Sequence, residues 1–463
     1  MTTTLVRNAT LVDLCPARVA RADLRIAGER IVERGDLTPQ PGEKICNLTG
    51  FLVLPGMVCA HTHLYSSLAR GMPLPAAAPR NFLEILQRIW WRLDRALDAE
   101  SIYLASMIGA VEAIRAGTTT LVDHHSSPAA IAGSLSVIER ALGEVGLRGV
   151  LCYEISDRGG PAQLAEAIAE TRAFLAATKG PLIRGMVGAH ATFTLATTTL
   201  ETIAALATEH AVGVHIHLAE DRIDLEDAEQ RYGCSPLDRL LATGCLGPRT
   251  LLAHGTHLSE RALATVNEQQ AWLVHNPRSN MNNQVGYAPV AHFGERAALG
   301  CDGLVADMLE EARMAYFKAR DATTTLGVDG IMHLVTGAAR FASETFQQPI
   351  GTLEAGGIAD LVVMDYLPPT PLAAENVAAH LIFGMSATQV VSVMVAGRWV
   401  MWQRQFPAID LRNLYARARD SAPRIWQHLQ TMPELPWPGP ETLHSPGLTE
   451  IQNNWRRKDC SDV

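Results

Sequence analysis

The sequence predicts an α/β chain: a (β/α)8 barrel with a small β domain assembled from both termini. Three observations predict it. Short apolar runs alternate with longer amphipathic stretches through the middle of the chain. The two ends share a different, strand-only texture. Histidines and carboxylates fall at the tips of the apolar runs, where such barrels keep their working residues.

The N-terminal flank is read as strands first. TTLVRNATLVD and ADLRIAGERIVERG alternate apolar and polar residues, and Gly28-Glu29 supplies a hairpin turn. At the other end ADLVVMD (359–365) and VVSVMVAGRWVMWQRQF (390–406) repeat the texture, the second run broken by a turn at Ala396-Gly397. The expected division is 1–55 with 356–410 as one composite β domain, 56–355 as the barrel, and 411–463 as a C-terminal helix and extended tail. PELPWPGPETLHSPG, Pro-rich and polar, carries that tail.

Eight runs supply the barrel strands: FLVLPGMV, TTTLVD, LRGVLCYE, IRGMVGAH, VGVHIHLAE, TLLAHG, AWLVHN and AALGCDG. Between them, AESIYLASMIGAVEAIRAG and TLETIAALATEHA place apolar residues at helical spacing.

Bulk properties exclude several classes. The chain has 463 residues, 48% of them apolar, with 39 Lys plus Arg against 48 Asp plus Glu and a net charge of -9. No long basic run offers a nucleic-acid face. Eight cysteines are scattered without a Cys-x-x-Cys pair, which is not a disulfide framework. No signal-peptide pattern and no membrane-length apolar run stands in the sequence. The expectation is a cytoplasmic enzyme without membrane or nucleic-acid partners, acting on a small molecule and assembling as a homo-oligomer, dimer or larger.

The chemistry-bearing residues come next. His61 and His63, in PGMVCAHTHLY, are two apart, so on a strand both rings face one way and can clamp one ion. VGVHIHLAED offers His217 as a third ligand; His215 shares its face and reads as a structural partner. Glu220, three residues on, suits general acid/base work beside an ion. His254 ends TLLAHG and can reach the reaction centre, and Asp302 ends AALGCDG, where a carboxylate can bind the ion as a fourth ligand or orient the bound water. Three imidazoles and one carboxylate favour Zn2+, with Fe2+ the alternative, over Mg2+ or Ca2+. His190 rather than a lysine ends IRGMVGAH, so no carbamylated lysine bridges two metals and a single ion is expected.

AHTHLYSSLARG, GAHATFTL, HIHLAE, LLAHGTHL, HNPRSNMNN and GCDG, closed by LEAGGIADLVVMD, resemble the amidohydrolase superfamily in its chlorohydrolase and cytosine/guanine-deaminase-like branch. The likeness covers about residues 1–430. It implies a distorted (β/α)8 TIM barrel with a small β-sandwich from both termini. It also implies metal binding by His61, His63, His217 and Asp302, Glu220 as proton shuttle, and His254 polarising water or the leaving group. His190 matches a substrate-contacting position; Arg278 and Asn280, after the seventh strand, shape the pocket.

Three features depart from that pattern or stay open. Cys301 precedes the aspartate where Thr or Ser is usual. His124-His125 is not general to that branch and either touches substrate, His125 foremost, or fills the rim. Trp90 and Trp91 either cap the pocket or belong to core or a dimer contact. The expected reaction is hydrolytic deamination of an amino-substituted purine-, pyrimidine- or triazine-like ring, with ring opening of a cyclic amide or dechlorination at the same site as the alternative.

Overall fold

The computed structural model describes residues 3–73, 77–177 and 179–434. Eight parallel strands form the centre: β1 (Met57–Thr62), β2 (Thr118–His125), β3 (Arg148–Ile155), β4 (Val187–Ala191), β5 (Val214–Leu218), β6 (Leu251–His254), β7 (Trp272–His275) and β8 (Ala297–Leu299). Each hydrogen-bonds to its neighbour in sequence order. The last meets the first through a parallel bridge, Thr62 to Asp302, and through the Cys301 amide donating to the His61 carbonyl at 2.9 Å. The barrel is thus nearly closed, with every strand buried along its length, as expected of strands covered by helices.

The strand order matches the eight apolar runs, two of which are split: IRGMVGAH holds Ile183–Gly185 and β4, and the other split has a steric cause. FLVLPGMV is two strands, Leu52–Pro55 and β1, which belong to different sheets. The chain turns between them at Gly56, where a Cβ would stand 2.1 Å from the Thr119 hydroxyl oxygen. Only glycine fits there.

Eight strands from the two termini form the second sheet. Its order runs 398–401, 390–395, 361–364, 52–55, 3–14, 17–27, 30–35, with 44–47 also paired to 3–14. Ala396 and Gly397 both take positive φ (46° and 75°), the geometry of the expected tight turn. This sheet encloses a core of its own, built on Val6, Leu11, Leu24, Ile31, Val53, Leu361 and Met394.

The sheet is tied to the barrel by a buried ion pair. Arg148, at the start of β3, donates to the Asp360 carboxylate, and both side chains are shut from solvent. Asp360 also accepts the Ala396 amide at 2.7 Å.

A long helix, Leu411–Thr431, follows the second sheet, and its buried residues include Leu414, Ala418, Ile425 and Leu429. The tail beyond 434 lies outside the described residues. Among the described residues no helix is long and apolar enough to cross a membrane.

Candidate metal centre and pocket

The tips of β1, β5 and β8 bring four ligand atoms together. His61, His63, His217 and Asp302 each offer one atom, all within 4.8 Å of one another. Asp302 Oδ1 lies 3.1 Å from His61 Nε2 and 2.9 Å from His63 Nε2, and the two Nε2 atoms of His63 and His217 are 3.2 Å apart. A tetrahedral zinc site with bonds of 2.0–2.1 Å spaces its ligand atoms by about 3.3 Å. The set therefore fits a cation of that size.

The rings are aimed from behind. His63 Nδ1–H donates to the His124 carbonyl at 2.5 Å and His217 Nδ1–H to the His190 carbonyl at 2.7 Å, leaving Nε2 of each as the ligand atom. His61 Nδ1 is 2.9 Å from His215 Nε2, so His215 takes the supporting place expected of it. Burial holds His61 down at about 3 and His217 well below the usual imidazole value, keeping both in the neutral form that ligates. Against the same burial, contact with Asp302 raises His63 to about 9, a proton standing where a cation would. The Ser279 hydroxyl donates to the outer oxygen of Asp302.

Beside the ligands stand Glu220 and His254, clustered with Asp302. Burial lifts the Glu220 carboxyl to about 7, opposed by His254 and reinforced by the charge of Asp302. Its Oε2 lies 3.5 Å from His254 Nε2, and Oε1 accepts from Asn283 at 3.3 Å. His254 Nδ1 donates to Asn280 Oδ1 at 2.8 Å. His254 (φ 75°) and Asp302 (φ 54°) both occupy the left-handed region, which is strained for side-chain-bearing residues and concentrates at working sites.

A cavity opens above this group, lined by His63, His217, Glu220 and Asp302 at its floor and by Tyr65, Phe82, Trp90, Trp91, His190 and Phe193 around it. Trp90 and Trp91 thus belong to the pocket. His190 donates from Nδ1 to the Thr194 hydroxyl at 2.8 Å, and burial lowers it to about 3.

Other residues singled out in the sequence stand off the cavity lining. His125 is shut away from the cavity, its Nε2 2.9 Å from the Ser127 hydroxyl and its ring beside Tyr65 and Tyr153. Arg278 is drawn off by Glu310 and Glu311, which arrive on the helix Met308–Asp321. Asn280 reaches the site only through His254. Cys301 packs against Cys59 and Thr62, away from the cavity.

Sequence reading also missed a buried polar network in the wall. Glu154, at the end of β3, receives Arg158 at 2.6 Å and lies 3.3 Å from His124 Nδ1. Although burial acts to raise it, His190, His124 and Arg158 hold its carboxyl below the usual range. Asp94 joins from the other side, 3.4 Å from Arg158, and burial lifts it to about 6. Glu154 had a signal, since it is a carboxylate at a strand tip in LRGVLCYE.

Residues 52–400 match the amidohydrolase family over three quarters of the chain. The chain belongs to that family. It is 31% identical over 439 residues to a 5-methylthioadenosine/S-adenosylhomocysteine deaminase of Desulforudis audaxviator, covering 91% of this chain and 98% of that one. A protein of the same name from Moorella thermoacetica is also 31% identical, over 89% and 97% of the two chains. Among solved structures, an adenosine deaminase from Xanthomonas campestris with bound zinc superposes with a TM-score of 0.79 at 25% identity, covering 92% and 99%. An atrazine chlorohydrolase from Arthrobacter aurescens complexed with zinc shares the fold, with a TM-score of 0.77 at 19% identity over 91% and 100%. This amidohydrolase falls in the branch of chlorohydrolases and deaminases, and is a divalent-metal hydrolase of carbon–nitrogen bonds other than peptide bonds.

Proposed function

We propose that this amidohydrolase removes the amino group of a nitrogen heterocycle as ammonia, with adenine carried on a nucleoside the first candidate, and uses one zinc ion held by His61, His63, His217 and Asp302. Iron(II) is the alternative ion. The observation that carries the reading is Glu220: a buried carboxyl near 7, 3.5 Å from His254 and beside Asp302, on the floor of a cavity walled by aromatic rings. The names of the relatives support the same reaction.

A divalent cation at the centre supplies Lewis-acid activation, lowering the pKa of water from 15.7 toward about 7. The protein's own groups do the rest. Glu220 takes a proton from the attacking water and hands it to a ring nitrogen, a task suited to a carboxyl poised near neutrality. His254, with Nδ1–H committed to Asn280, turns Nε2 toward that water and orients it. Asp302 takes the remaining hydroxyl proton and passes it to the departing amino group as the carbon–nitrogen bond breaks, so water and the amino compound become ammonia and the oxo compound. The indoles and Phe193 offer flat apolar faces to the ring.

The test is zinc-loaded protein assayed for ammonia with adenosine, 5′-methylthioadenosine, adenine, guanine and cytosine. Glu220→Gln is expected to keep its zinc and lose about 10²–10⁴ in kcat. Acid without ammonia from a cyclic amide, or chloride from a chlorotriazine, with no ammonia from the panel, would refute deamination. Full turnover by Glu220→Gln would refute the shuttle.

A further inference from the structure

Trp90 and Trp91 are adjacent in sequence, yet both line the cavity. Neighbours on an α-helix point about 100° apart. Here the backbone widens into a π-helical turn, Leu86–Trp90, closed by the Trp91 amide donating to the Leu86 carbonyl. Such turns insert an extra residue and recur at functional sites. Trp90 reaches Gly303, where an added Cβ would lie 3.6 Å from the ring. Trp91 turns its edge to His190 at 6.0 Å, with the Arg158 guanidinium stacked on it at 4.9 Å.

The segment that carries them changes helical type three times between Phe82 and Ala96, passing through four short pieces. Such short pieces have little stability of their own. On the pocket side, Phe82, Leu86 and Trp91 pack with Ala191, Phe193 and Val285, a cluster separate from the barrel core. On the far side the segment is held by the C-terminal helix. Arg92, 9% exposed, donates through one nitrogen to the Leu429 carbonyl at 2.5 Å and the Met432 carbonyl at 2.9 Å. These belong to a helix end, whose last carbonyls lack intrahelical partners and attract a cation. Arg95 joins Trp91 to Pro433, donating to their carbonyls at 2.7 and 2.9 Å. Trp426 Nε1 donates at 2.9 Å to the carbonyl of Leu68, just beyond the His63 tip.

We propose that Arg92 is a positioning residue for the pocket: by capping the C-terminal helix from within the wall, it sets where Trp90 and Trp91 stand against a flat ring. The proposal rests on the reading that this cavity receives the heterocycle. Arg92 bonds to the helix and not to the metal ligands, so its effect falls on substrate placement. The helix Leu411–Thr431 then serves the site although it ends the described chain.

Full-length, zinc-loaded protein is compared with Arg92→Met and Arg92→Lys by hydrogen–deuterium exchange, zinc content and steady-state kinetics with adenosine and 5′-methylthioadenosine. In Arg92→Met, amides of 82–96 should exchange at least about tenfold faster while barrel-strand amides and zinc per chain stay unchanged. KM should rise about tenfold with kcat within about twofold, since a wall shifted by a fraction of an ångström misplaces the ring. Arg92→Lys, which keeps the charge and a donor, should restore part of both. Unchanged exchange in 82–96, or faster exchange with unmoved KM, overturns the proposal. If the wild-type protein turns over neither nucleoside, the deaminase reading fails on that result, and the exchange comparison alone decides whether Arg92 holds the wall. If Arg92→Met does not fold, Arg92→Lys must show the same shift at smaller size, and its absence overturns the proposal.

Discussion

Replacing Asp360 by alanine should destabilise the protein more than any surface change. Arg148 would be left as a cation with 1% of its side chain exposed, and the Ala396 amide would lose its acceptor. Breaking a buried pair from one side costs about 3–5 kcal/mol, and an unpaired buried amide about 1–3 kcal/mol more. The sum approaches a large share of a typical folding free energy of about 5–15 kcal/mol. Arg148 also lies 5.4 Å from the Phe346 ring, an apolar neighbour against which an unbranched methionine can pack. The double substitution Arg148→Met/Asp360→Ala should therefore recover most of the loss, because it removes the stranded charge. Urea unfolding of the zinc-loaded proteins, read as the midpoint at constant slope, measures all three. A single variant losing under about 1 kcal/mol, or a double variant no better than the single, would refute the account of this tie.

Two further outcomes follow from the site. Asn280→Ala frees the Nδ1–H of His254 while leaving every ligand in place, so kcat should fall about 10–100-fold at unchanged zinc content, as is usual for outer supports of a metal site; unchanged turnover would show that His254 needs no such support. Asp94, raised by burial from 3.8 to about 6, holds a proton in the folded state that the unfolded chain has already lost between those values. Its contribution is therefore present in acid and fades as pH rises through about 4 to 6, by on the order of 3 kcal/mol. Asp94→Asn should flatten that stretch of the stability–pH curve, and an identical slope in both proteins would count against it.

Much of the barrel was legible because buried parallel strands read as short apolar runs, and their tips carried the histidines. His61 and His63 share a face through strand periodicity alone, and the structure puts His217 and Asp302 beside them. Part of what escaped depends on distance along the chain, and part on local geometry with no sequence signature. Arg278 looked like a pocket residue until Glu310 and Glu311, more than thirty positions on, claimed it. His125 sits at a strand tip like the ligands, but its ring turns to Ser127 and away from the cavity. The π turn that brings two adjacent tryptophans to one wall leaves no periodic trace. Glu154 and Arg158 stand four apart, but local sequence does not bring Asp94 to them; it meets Arg158 only when a helical segment closes over the end of β3.

The claim on which the rest depends is that His61, His63, His217 and Asp302 share one divalent cation. Anomalous diffraction at the zinc edge from crystals of the zinc-loaded protein tests it. The account predicts a single peak about 2.0–2.2 Å from the Nε2 atoms of the three histidines and from a carboxylate oxygen of Asp302. A peak instead at Glu154 and His190, or none in protein shown to be metal-replete, would contradict it.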